Sequence, residues 1–149
     1  MRARHLSVLA LALVVGACAG AGPFYLPSFH GCSQVMPYRF GERIYAELSP
    51  DDCTLRENPY KWVDYYELEV TQTIDEARIR AGDEGVDPVL ILYRRDGIEL
   101  GRNDDITLLL NTSARVQRRL TPGTYIIAVT SAAEDMTGDY ELSATVERD

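Results

Sequence analysis

The sequence predicts an all-β sandwich, and three observations lead to it. From Arg39 onward, apolar residues either alternate with polar ones or form short continuous runs, the two patterns of half-buried and fully buried strands. Turn residues, among them Asp96-Gly97, Asn103-Asp104-Asp105 and Pro122-Gly123, punctuate these runs at short intervals. No stretch keeps a helical period over ten residues, although Thr71 to Ala81 invites that misreading. About eight short strands separated by turns make a sandwich.

The first 17 residues read as a leader. Arg2 and Arg4 precede an apolar run from Leu6 to Val15, shorter than the roughly 20 residues a spanning helix needs. Small residues then lead to Cys18, the shape of a secretory signal. Val15-Gly16-Ala17-Cys18 resembles a bacterial lipobox, with Val where Leu is usual. The resemblance implies lipidation of the Cys18 thiol, cleavage before it and acylation of the new amine. Two or more acyl chains hold a protein firmly at a membrane where one holds it marginally. Ala19, standing where an Asp would retain such lipoproteins at the inner membrane, implies the outer membrane. The alternative is an ordinary signal peptide cut near Ala19. Cleavage before Cys18 removes 17 residues and two arginines, so the chain goes from 149 residues at charge −8 to 132 at −10. His5 leaves with the leader, and His30 is the histidine that remains.

Residues 18–38 read as a tether. Pro23, Pro27 and Pro37 lie among glycines and the aromatics Phe24, Tyr25 and Phe29, and proline at this density blocks regular ladders. Packing of the aromatics on the domain is expected over contact with the membrane. With Cys18 lipidated, Cys32 and Cys53 form an even pair in an oxidising compartment and are expected to make a disulfide that pins the tail to the domain. A loop of this size stabilises the fold by roughly 3 kcal/mol in the chain-entropy model. A reactive or metal-binding thiol pair is the competing reading, but neither cysteine has a CxxC neighbour.

Residues 39–149 form the domain. Tyr66, Leu68 and Val70 alternate with Glu67 and Glu69, and Ile79 sits between Arg78 and Arg80; the two segments are expected to pair as a hairpin with opposite charges across its wet face. Pro88 to Tyr93 is continuously apolar, as in a strand covered on both faces. Asp96-Gly97 suits a type I′ turn leading to a short return strand at Ile98 to Leu100. Ala114 to Leu120 is a strand, Pro122-Gly123 suits a type II turn, and Tyr125 to Thr130 is a central strand. The last strand alternates Tyr140, Leu142, Ala144 and Val146 with polar residues.

In this order, residues 43–147 resemble the bacterial pre-peptidase C-terminal domain. The resembling stretches are Val63-Asp64-Tyr65-Tyr66-Glu67-Leu68, Asp87 to Leu92, Asp96 to Leu100, Asn103-Asp104-Asp105, Leu120 to Thr130 and Gly138-Asp139-Tyr140-Glu141-Leu142. The resemblance implies a jelly-roll-like β-sandwich, a non-catalytic appendage of secreted proteases and other extracellular enzymes. No peptidase domain accompanies it in this sequence. Calcium-binding relatives use clustered carboxylates, which brings forward Asp104 and Asp105, weighed with Asp87 and Asp64 as oxygen ligands for calcium. The alternative is a solvated turn whose side chains bond backbone N–H groups. No other cofactor is implied, and Asp51-Asp52 beside Cys53 reads as a solvated loop.

The residues present argue against catalysis. Histidine-dependent nucleophilic and zinc chemistry needs an imidazole held by the fold, and His30 lies in the tether. Gly82-Asp83-Glu84-Gly85 is too acidic for a phosphate loop, and no Asp/Glu pair is marked for glycoside hydrolysis. The acidic balance, with 15 Lys plus Arg against 23 Asp plus Glu, repels nucleic acid. Arg115, Arg118 and Arg119 form the basic cluster and read as a solvated strand face. Tyr60, Trp62 and Tyr65 are the candidate exposed aromatic surface for a carbohydrate or protein, or else they cap one end of the sandwich. The sequence is thus read as a non-enzymatic, lipid-anchored envelope protein that binds a protein or polysaccharide. The alternative is a structural or chaperone-like accessory subunit of a secreted hydrolase.

Overall fold

A computed structural model describes residues 28–104 and 112–147. The leader, Cys18, Phe24, Tyr25 and Asp105 lie outside the described residues. Ten strands follow one another: β1 (Val35–Tyr38), β2 (Arg43–Leu48), β3 (Cys53–Leu55), β4 (Asn58–Val70), β5 (Ile74–Asp83), β6 (Pro88–Arg94), β7 (Glu99–Asn103), β8 (Ala114–Leu120), β9 (Gly123–Ser131) and β10 (Gly138–Val146). They make two sheets packed as a sandwich. The larger runs β1-β4-β9-β6-β7, with β3 beside the first part of β4; the smaller runs β2-β10-β5-β8. The β1–β4 pair is parallel and the other ladders are antiparallel. No helix occurs among the described residues.

The alternation read in the sequence sets the two faces. Tyr66, Leu68 and Val70 of β4, Leu90 and Leu92 of β6, and Ile127 and Val129 of β9 point between the sheets. There they meet Ile79 of β5 and Tyr140, Leu142 and Ala144 of β10. A second apolar cluster lies on the outer face of the larger sheet: Val63, Tyr65, Ile91, Tyr93, Ile126 and Ala128, covered by Phe29, Cys32, Val35 and Leu55. This second layer is why β6 and the middle of β9 are buried at consecutive positions.

The tail is part of the fold, so the expected tether does not reach residue 38. Val35–Tyr38 adds a strand to the larger sheet, with Pro37 tolerated because β1 lies at the edge. Ahead of it, His30 (φ 50°) and Gly31 (φ 87°) make a tight turn closed by two Phe29–Cys32 backbone bonds of 2.9 Å. Positive φ at both central residues makes this a type I′ turn. The expected Cys32–Cys53 disulfide is present, with Cα atoms 5.8 Å apart, and it ties that turn to β3.

One expected hairpin and two expected turn types are corrected. β4 and β5 lie in different sheets; residues 71–73 carry the chain across the sandwich, so the facing charges of Glu67 and Glu69 and of Arg78 and Arg80 never meet in one ladder. The Asp96-Gly97 turn has positive φ at Gly97 (91°) but not at Asp96. Gly97 N–H donates to Arg94 O at 2.8 Å and Arg94 N–H to Ile98 O at 2.8 Å, a type I turn followed by a glycine bulge rather than type I′. Gly123 has φ 156°, far from the value near 80° that a type II turn needs, because β8 and β9 belong to opposite sheets. That crossing is held instead by Tyr125, whose hydroxyl donates to Thr121 O at 2.8 Å and accepts from Thr121 N–H at 3.2 Å.

Candidate functional site

On one side of the sandwich the edge strands β1 and β2 end their respective sheets. β1 is held by β4 alone and β2 by β10 alone, so each has one backbone edge outside any ladder. Between them runs a groove of about 540 Å³. Its apolar surface comes from Val35, Met36 and Pro37 of β1 and Ala46 of β2, and carboxylates of Glu47, Asp51, Asp52 and Asp64 line it too. Met36 is 38% exposed.

Local sequence places each of these groups. Along β2, Ile44, Ala46 and Leu48 lean toward the core while Arg43, Tyr45 and Glu47 face solvent. Asp52 is tied into its turn, its Oδ2 accepting Ser49 N–H at 2.6 Å and its own N–H reaching Ser49 O, the local bonding that makes Asp a turn former. Asp51 beside it is exposed. Asp64 lies on the inward face of β4, on the same side as Tyr66, and is 8% exposed.

Asp64 ends a buried chain of hydroxyls. Tyr140 Oη donates to Asp64 Oδ2 at 2.5 Å, and Tyr66 Oη lies 2.5 Å from Tyr140 Oη. Because the Tyr140 proton is committed to Asp64, Tyr66 is the donor in that second bond. Burial pushes the Asp64 carboxyl up to about 6, against the pull of the Tyr140 bond. Burial likewise holds both tyrosine hydroxyls well above their ordinary value. No cation pairs with Asp64 among the described residues.

The residues expected to form an aromatic surface are divided among three environments. Tyr60 is 58% exposed, Trp62 packs in part against the inter-sheet core, and Tyr65 is fully buried on the opposite face of β4. Strand parity is the reason: Trp62 and Tyr65 are three residues apart and point to opposite sides. Tyr65 instead meets Phe29 edge-on at 5.2 Å, with His30 stacked on Phe29 at 3.9 Å and edge-on to Tyr93 at 5.2 Å. Burial and the nearby Arg56 lower the His30 pKa, so its imidazole is a neutral part of this aromatic cover.

Of the carboxylates weighed for calcium, Asp64 and Asp104 are far apart. Register links Asp64 to Val129, Val129 to Leu90 and Leu90 to Asn103. Three strand spacings, roughly 14 Å, therefore separate Asp64 from the start of the Asp104 loop. No group of three or more His, Cys, Asp or Glu side chains gathers in metal-binding geometry among the described residues. Arg119 pairs with Asp75 at 3.3 Å at the surface, as a solvated strand face does. Sequence reasoning missed the groove because its walls come from three separate segments. The signals were present in Tyr45 and Glu47 alternating with Ile44 and Ala46, and in Asp64 standing among Trp62, Val63, Tyr65 and Tyr66.

Comparison with solved structures places this fold. The pre-peptidase C-terminal domain of collagenase from Bacillus anthracis superposes with a TM-score of 0.58 at 16% identity, covering 74% of this chain and 94% of that one. PliG of Aeromonas hydrophila, a periplasmic lysozyme inhibitor of g-type lysozyme, superposes at 0.52 with 12% identity, covering 76% of this chain and 96% of that one. No protein-family model matches the chain, and no curated protein sequence matches it. The likeness is one of fold, and the sandwich is similar to a pre-peptidase C-terminal domain.

Proposed function

We propose that this chain is a non-enzymatic cell-envelope lipoprotein whose β-sandwich binds a protein or polysaccharide partner. The observation that carries the reading is the groove between β1 and β2, where unladdered backbone, an exposed Met36 and acidic side chains converge. Exposed sheet edges beside apolar surface are common recognition surfaces. An envelope location draws support from the leader, the disulfide and the periplasmic neighbour of the same fold. Anchoring through Cys18, at the outer rather than the inner membrane, belongs to the same proposal. So does calcium at Asp104 and Asp105: thermal stability measured in calcium and in chelator should differ, and equal values would end that part.

A second reading, an accessory subunit of a secreted hydrolase, is favoured by the neighbour that is itself a domain of a collagenase. In-vivo crosslinking followed by pull-down separates the two. A single hydrolase partner supports the accessory role, and retention on peptidoglycan or another partner supports the independent binding module. Hydrolysis of a broad substrate panel by purified protein would contradict both.

A further inference from the structure

We propose that the groove between β1 and β2 receives an extended segment of a partner protein carrying lysine or arginine at alternate positions. This rests on the reading of the chain as a binding module and names the chemistry of its partner. Three features of the groove lead there.

The walls are two strand edges that lack a ladder on the groove side, so backbone C=O groups border it, with N–H groups except at Pro37. An extended chain satisfies such groups with its own backbone. Alternate residues of that chain, roughly 7 Å apart, then face the same wall. Met36, Pro37 and Ala46 supply the apolar surface on which the aliphatic stem of Lys or Arg lies while its charged head stays at the rim.

Charge selects the sign of the occupant. Glu47, Asp51, Asp52 and Asp64 line the groove and no Lys or Arg does. Arg43, at the far end of β2, is paired with Glu141 at 3.4 Å. An anionic glycan or phosphate would be repelled here. A neutral glycan would call for an aromatic platform, and the groove has no aromatic lining.

Asp64 is the third feature. It is more than nine-tenths buried, borders the groove and is held by one hydroxyl rather than by a cation. A carboxylate in this position is costly unless paired, and a cationic head entering from the groove supplies the pair.

The test measures fluorescence anisotropy of a labelled eight-residue peptide of alternating lysine and valine, added to the full chain in mild detergent at low and at moderate salt. A glutamate–valine peptide is the sign control. Binding is expected for the lysine peptide alone, weakening as salt rises. The doubly substituted Glu47→Lys, Asp51→Lys chain should lose at least tenfold in affinity. Both positions are exposed, and near-ultraviolet circular dichroism checks that the variant is folded; Glu47→Gln with Asp51→Asn is the milder pair. Asp75→Lys, at the opposite end of β5 from the groove, should leave affinity within twofold. Absence of lysine-peptide binding, or equal loss in Asp75→Lys, overturns the inference. Retention of the chain on peptidoglycan without peptide binding also overturns it, while leaving the binding-module reading standing.

Discussion

Asp64 shows how one side chain links the core to the groove. Its pKa of about 6 in the fold lies above the ordinary 3.8, so the folded state holds its proton more tightly than the unfolded chain. The resulting stabilisation is fully present below about pH 4 and is lost as pH rises through 6. At the 1.36 kcal/mol that accompanies each pH unit, the loss is about 3 kcal/mol. Urea unfolding between pH 4 and 7 should show this decline in the native chain and a flatter profile in Asp64→Asn. Tyr140→Phe removes the hydroxyl that serves both Asp64 and Tyr66; it should cost about 1–3 kcal/mol and move the Asp64 titration upward, read by carbon NMR of the carboxyl. Gly97 answers to a different constraint. Its φ is 91°, and a Cβ there would lie 3.2 Å from His30 Nε2, so Gly97→Ala should destabilise by about 1 kcal/mol or more. The glycine's turn was legible in the sequence, but its contact with His30 was not, because 67 positions separate the two residues.

At the scale of the element, the N-terminal segment is the least expected part of the fold. Its prolines read as a tether, yet Phe29, Cys32 and Val35 cover the outer face of the larger sheet. The clue lay elsewhere in the chain. A run such as Pro88 to Tyr93, buried at every position, requires a second cover, and the sequence supplies one before residue 39. Strand identity was legible wherever apolar and polar residues alternate in the sequence, as in Tyr66 to Val70 of β4 and Tyr140 to Val146 of β10. Strand pairing was not, because β4 and β5 follow each other through residues 71–73 and still enter different sheets; alternation reports which face is buried, not which neighbour lies alongside. The Cys32–Cys53 bond holds the cover in place. Reduction, or paired Cys32→Ser and Cys53→Ser substitution, should lower stability by roughly 3 kcal/mol and raise binding of an apolar dye to the uncovered Tyr65, Ile91 and Ile126, measured by fluorescence.

At the scale of the whole molecule, the β1–β2 side brings two strand edges and accessible apolar surface together in one groove. The sandwich itself was legible from period-two patterning and turn residues. The groove was not, since β1 pairs with a strand some 30 positions away and β2 with one more than 90 positions away. Lipid at Cys18 would hold this acidic domain at a membrane without help from charge; mass spectrometry of the mature N-terminus should find an acylated cysteine, and an unmodified start at Ala19 would contradict the anchor. The groove is tested most directly by placing a photo-crosslinking residue at Met36 or at Tyr60 in cells and mapping the adducts. Adducts from position 36, on an extended lysine- or arginine-bearing segment of one partner, are expected. Adducts from position 60 with none from position 36 would contradict a binding site between the sheet edges.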